Sequence, residues 1–162
     1  NPSAVYGPGP VHVALNGFFI RLLTGKVPLL PPGGMSVVYI DGVVAAHLAA
    51  AERGVRGERY LVSDGYATNR ELATEAVTAA GRGKVPRAAP AWLLRGLAGV
   101  SAPLARLFRF TPLIAPGQLT FVLWQARVDS TKAQAALGFE PTPLDTGVAL
   151  TIRFLREQGL VP

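Results

Sequence analysis

The sequence predicts an α/β fold in which a few short strands are set among many helices. Three observations carry the prediction. Short β-branched and aromatic runs end at Gly, Pro or Asp, as buried strands do. Longer stretches repeat apolar residues at helical spacing. The 162 residues are 49% hydrophobic and 16% charged, apolar enough to bury a core and too apolar for a disordered chain.

Ala4-Val5-Tyr6 reads as a strand stopped by Gly7-Pro8-Gly9-Pro10. From His12 to Leu23 the apolar residues Val13, Phe18, Phe19, Leu22 and Leu23 suit a helix on a core, with Gly25 as its stop. Ser36 to Ile40 reads as a buried strand. Asp41 follows as the expected N-cap of a helix starting near Gly42 or Val43 and running to about Arg53. Glu58 to Ser63, centred on Tyr60-Leu61-Val62, reads as a further strand. Thr68 with Glu71 has capping-box spacing, and that helix runs to Gly81. A basic, proline-bearing link follows from Arg82 to Pro90, then a long apolar-and-Arg helix, or two joined at Pro103, over Ala91 to Phe108. Gln118 to Ala126 fits a helix or an extended piece equally. Asp129 and Ser130 open a short helix that ends at Leu137-Gly138-Phe139. Leu144 to Glu157 is the last helix. Three strands are few for a self-contained α/β domain of this size, and further strands are expected upstream.

With no cysteine, disulfides, thiolate metal sites and cysteine nucleophiles are excluded. Two histidines, His12 and His47, are too few for a His-based metal cluster, and a structural role is expected for both. The net charge of +6 is scattered over the chain, so no nucleic-acid partner is expected. No uninterrupted apolar run reaches the roughly 20 residues of a membrane span. The chain opens on Asn1-Pro2-Ser3 without a basic leader or an initiator Met. These features lead us to expect a cytoplasmic protein and a chain that begins mid-protein.

Four segments, in order and at their spacing, resemble the C-terminal part of extended short-chain dehydrogenases, the NAD-dependent epimerase/dehydratase family. They are Asn1-Pro2-Ser3-Ala4-Val5-Tyr6-Gly7-Pro8-Gly9, Val38 to His47, Gly57 to Ser63, and Asp129-Ser130-Thr131-Lys132-Ala133 with Leu137 to Pro141. The dihydroflavonol-reductase-like and hopanoid-associated sugar-epimerase-like branch is the most similar. The resemblance implies the C-terminal part of a Rossmann-type fold plus a mostly helical substrate-binding region, with the N-terminal glycine-loop half absent. On that pattern residues 1–63 hold the last Rossmann strands and helices with interleaved substrate-region elements, and 64–162 are mainly substrate-binding cap. The cofactor implied is NAD or NADP, the partner a small-molecule substrate, and the parent protein a homodimer.

The departures from the family matter as much. Four residues after Tyr6, Tyr39, Tyr60 and Tyr66 stand Pro10, Val43, Asp64 and Arg70, so the Tyr-x-x-x-Lys pair is missing. No Gly-x-x-Gly-x-x-Gly follows a strand, so the backbone cradle for a pyrophosphate is missing too. No catalytic residue and no metal ligand is therefore assigned, and the chain alone is expected to be inactive.

The resemblance places Asn1, Pro2 and Ser3 at the nicotinamide end of the cofactor; an ordinary strand-to-turn junction is the rival reading. Val5 and Tyr6 would flank the substrate mouth, or Tyr6 is a core aromatic with a satisfied hydroxyl. Trp92, with the apolar stretch it opens to Phe110, resembles a substrate-covering region, and Phe121 and Trp124 would extend the pocket. Core packing fits the same residues. So does a basic amphipathic helix lying on a membrane surface in a non-catalytic binding module. Asp129, Ser130 and Lys132 read as a capped helix start. The functional expectation is the substrate-binding and partial nicotinamide-pocket portion of an epimerase, dehydratase or reductase, its substrate a sugar nucleotide or an apolar ring-bearing carbonyl or alcohol.

Overall fold

In the computed structural model, which describes residues 1–9, 14–90, 92 and 125–162, alternation along two strands sets the layers. β1 (Ala4–Tyr6) pairs in parallel with β2 (Gly34–Tyr39), Ala4 opposite Val37 and Tyr6 opposite Tyr39. Tyr6, Val37 and Tyr39 enter one apolar cluster, while Val5 and Val38 enter another. That is the period-two pattern of a strand buried on both faces.

Helices cover both sides. α1 (Ala14–Leu23), α3 (Asn69–Ala80) and α5 (Leu144–Glu157) pack on the Tyr6 face through Phe19, Leu72, Ala76, Val148, Ile152 and Leu155. α2 (Ile40–Arg53) and α4 (Thr131–Leu137) pack on the Val38 face through Val43, Ala46, Ala133 and Leu137, joined by Phe139. The expected α/β class is therefore observed, with β1 and the last helix at their expected bounds. α1 is described from Ala14; His12, at the expected start, lies outside the described residues.

The sheet differs from expectation in its third strand. Tyr60-Leu61-Val62 makes one parallel bridge, Val62 with Pro2. Ser3 N–H donates to Val62 O at 2.9 Å, Val62 N–H to Asn1 O at 3.1 Å, and the Asn1 ammonium to Tyr60 O at 2.9 Å. The chain then bends at Ser63 and Asp64, where Asp64 N–H donates to Val37 O at 2.8 Å. That bond delivers Gly65 to Thr68 onto the open side of β2 as β3 (Gly65–Thr68), antiparallel, giving the order β1-β2-β3. Gly34 permits this pairing: a Cβ there would lie 2.2 Å from the Ala67 carbonyl oxygen.

Asp41 does not cap α2. The helix begins at Ile40, two residues earlier than a cap at Asp41 allows, and Tyr39 is the N-cap. The Tyr39 N–H is satisfied from across the fold by Asp64 Oδ2 at 2.6 Å. Asp41 sits in the first turn, where a carboxylate favours the helix dipole. The expected capping box of α3 is present: Thr68 Oγ1 accepts from Glu71 N–H at 3.1 Å, and Glu71 Oε2 accepts from Thr68 N–H at 2.7 Å. The Thr68 N–H bond, and a second from the Thr68 hydroxyl at 2.8 Å, hold the Glu71 carboxyl below its usual range. Thr68→Ala is expected to lower stability by about 1 kcal/mol in urea unfolding. No effect would mean that the helix start is fixed by tertiary packing alone.

Candidate functional site

β1 and the start of β2 are bordered by two clefts of about 410 Å³ each, which share Ala4 and Met35 as a common wall. The first lies between the strands and the helices, walled by Val5 of β1, Leu15 and Phe18 of α1, Pro31 and Asn69. Helical spacing puts Leu15 and Phe18 three apart on one face of α1. Asn69, 6% exposed, donates from Nδ2 to Pro31 O at 3.2 Å and so fastens the loop before β2 to the start of α3.

The second cleft is walled by Pro2, Ser3, Gly34, Ser36, Ala126 and Val128. Its far wall has no regular secondary structure of its own and is held by one hydroxyl. Ser36 Oγ accepts from Val128 N–H at 2.8 Å and donates to Ala126 O at 3.3 Å, bonds that span about 90 residues of sequence. Nearby, the Arg127 guanidinium lies 4.4 Å over the Tyr66 ring, and Tyr66 donates its hydroxyl to Gln125 Oε1 at 3.4 Å. Ser3 Oγ is buried and has no hydrogen-bond partner among the described residues. No charged side chain lines either cleft among the described residues.

The sequence-selected residues separate accordingly. Pro2 and Ser3 line the second cleft and Val5 the first. Asn1 faces elsewhere, into a shallower opening of about 220 Å³ with His47, Tyr60 and Leu137. Tyr6 is fully buried, its ring edge-on to Phe19 and Tyr39, and burial pushes its hydroxyl well above the ordinary phenol range. That hydroxyl has no partner among the described residues. Trp92 is 72% exposed. Phe121, Trp124 and the stretch from 93 to 110 lie outside the described residues, and with them the basic amphipathic helix. His47 is exposed on α2 and its Nδ1 faces Val43 O at 2.7 Å, a local helix contact. At the α4 start Asp129 Oδ1 accepts from Thr131 N–H at 2.9 Å, whereas Ser130 Oγ donates to Ser63 O at 2.9 Å. Lys132 pairs with Glu58 and lies over the Tyr60 ring.

Sequence reasoning missed Met35, Asn69, Ser36 and the Ala126–Val128 wall. Asn69 directly follows a recognised cap, but nothing local ties it to Pro31. The partners of Ser36 lie too far along the chain for any spacing rule.

No protein-family model matches the chain. A curated relative, sterol demethylase protein B of Methylococcus capsulatus, is 30% identical over 99% of this chain and 50% of its own length. The chain spans about half the length of the curated relatives it matches. Among solved structures, a nucleoside-diphosphate-sugar epimerase from Pseudomonas aeruginosa is 23% identical with a TM-score of 0.78, over 99% of this chain and 48% of that one. The UDP-glucose 4-epimerase of Thermus thermophilus, solved as a complex with NAD, is 21% identical with a TM-score of 0.63, over 96% of this chain and 45% of that one. The likeness read from four sequence segments thus extends over the whole chain. No described helix is long and apolar enough to cross a membrane.

Proposed function

We propose that this chain, whose fold is that of about half of a Rossmann-fold epimerase, supplies the substrate wall and part of the nicotinamide pocket of an NAD(P)-dependent epimerase, dehydratase or reductase. The observation that carries the reading is the pair of ligand-sized clefts back to back on Ala4 and Met35, beside β1 and the Pro2-Ser3 segment that leads into it. Volumes of this size suit small molecules.

The second cleft fits the nicotinamide end of the cofactor. Pro2, Ala4 and Val128 offer apolar surface to a flat ring, and Ser3 carries a hydroxyl left unpartnered by the described residues. A nicotinamide ring held there by Pro2, Ser3, Ala4 and Val128 would supply hydride exchange with a carbon bearing a hydroxyl or carbonyl. The chain's own residues bind and orient: Val5, Leu15 and Phe18 hold the substrate and keep water from it, which strengthens polar interactions inside. The pyrophosphate cradle and the Tyr/Lys pair belong to residues outside this sequence. In this reading 1–63 hold the last Rossmann strands and helices with interleaved substrate-region elements, among them Val5, Leu15 and Phe18, and 64–162 are mainly substrate cap. The relative named as a sterol demethylase protein and the epimerase neighbours support a substrate that is either an apolar ring-bearing alcohol or ketone or a sugar nucleotide.

Ala126 is exposed on the rim of the second cleft, so Ala126→Trp fills that cleft with little cost to folding. In the longer polypeptide that carries this chain, the substitution is expected to weaken NADH binding by about tenfold or more, a loss of roughly 1.4 kcal/mol. Unchanged NADH binding, with unchanged thermal unfolding, would remove the second cleft from the cofactor site.

A further inference from the structure

We infer, on the basis of that proposed function, that the substrate part seated between β1 and α1 is an apolar ring system rather than a sugar. The first cleft is walled by Ala4, Val5, Leu15, Phe18, Pro31 and Met35, and Asn69 is the one polar side chain on it among the described residues. One N–H of that amide is already engaged, Nδ2 donating to Pro31 O at 3.2 Å, and Asn69 is 6% exposed, so the cleft offers at most one amide to the several hydroxyls of a sugar. A sugar carries a hydroxyl on most of its ring carbons. Each one buried here without a partner costs about 1–3 kcal/mol, because it leaves its water behind. An apolar ring has no such debt and gains about 25 cal/mol for every Å² removed from water.

Shape agrees with chemistry. Phe18 and Leu15 come from a helix packed on the strand, and Pro31 from a loop pinned by Asn69, so the walls are held by the core rather than by exposed side chains. The cleft's about 410 Å³ takes a fused-ring skeleton in part or whole. The shared wall at Ala4 and Met35 brings one end of such a skeleton next to the second cleft, where its oxygen-bearing carbon meets the polar groups that the first cleft lacks.

The test uses the longer polypeptide saturated with NADH, titrated by calorimetry with progesterone, a fused-ring ketone, and with UDP-glucose. Progesterone is expected to bind at least tenfold more tightly. Val5→Thr, close in shape but polar and on the first cleft alone, is expected to weaken progesterone about tenfold while NADH binding holds; Val5→Ile is expected to retain it. UDP-glucose binding more tightly, progesterone failing to bind, or Val5→Thr leaving progesterone unaffected overturns the inference and leaves the proposed function standing. Loss of the proposed function shows separately, as an absence of NADH binding, and takes the inference with it.

Discussion

Gly147→Ala is expected to destabilise the fold by about 3 kcal/mol, although alanine is the better helix former. Gly147 lies in the first turns of α5, directly against the Tyr6 ring. A Cβ there would stand 2.3 Å from the Tyr6 hydroxyl, 2.9 Å from Cζ and 3.1 Å from Cε2. Neither partner has room to move. Tyr6 is wedged edge-on between Phe19 and Tyr39, and α5 is fixed by Val148, Ile152 and Leu155 in the same cluster. Helix propensity returns at most about 1 kcal/mol against this overpacking. Tyr6→Phe removes the atom of closest approach along with a buried hydroxyl that has no partner among the described residues. Alone it is expected to be neutral or slightly stabilising. Combined with Gly147→Ala it is expected to restore about half of the loss, because Cζ and Cε2 remain close. Urea unfolding of the two single variants and the double variant reads this coupling. Strict additivity would mean that the ring and the helix are not in contact.

Asp64→Ala is expected to cost about 3 kcal/mol. This half-buried carboxylate joins three parts of the fold: Oδ2 accepts from Tyr39 N–H at 2.6 Å, at the start of α2, and Oδ1 from Thr142 N–H at 3.0 Å, just before α5. Removal leaves both donors without acceptors. Asp64→Asn keeps one oxygen and turns an amide N–H₂ toward the other donor, so it is expected to cost about half as much. Burial pushes the Asp64 carboxyl above its ordinary value, and the two N–H bonds only partly pull it back. The folded state therefore binds the proton more tightly than the unfolded state. Stability from this group is full below the ordinary carboxylate value and falls as pH rises through the raised one. The unfolding free energy of the wild type is expected to decline across that window, and that of Asp64→Asn to lack the decline. Parallel pH profiles would contradict this role.

What the sequence made legible was what neighbours encode. Thr68 and Glu71 are three residues apart and found each other as a capping box. Alternation marked β1, and helical spacing marked α5 from Leu144 to Glu157. Pro2, Ser3 and Val5 were drawn from the resemblance, and they line the clefts. Contacts made across the chain were not legible. Asp41 looked like the natural cap for α2, but α2 starts at Ile40 with no side-chain cap, and the Tyr39 N–H before it is taken by Asp64, 25 residues on, which also reaches Thr142 over 78. β3 depends on the bend at Ser63 and Asp64 and on the close approach at Gly34, and Gly65-Tyr66-Ala67-Thr68 has no alternating pattern to betray it. The cleft wall held by Ser36 joins residues about 90 positions apart.

In the proposed function this chain holds the ring end of a dinucleotide site, and residues beyond it hold the phosphates. Calorimetric titration of the 162-residue chain with NADH tests that division directly, with circular dichroism to verify that the chain is folded. The expected result is no saturable binding below about millimolar concentration, against strong binding by the longer polypeptide. Micromolar binding of NADH by the chain alone would contradict the account, because these residues would then hold the pyrophosphate themselves.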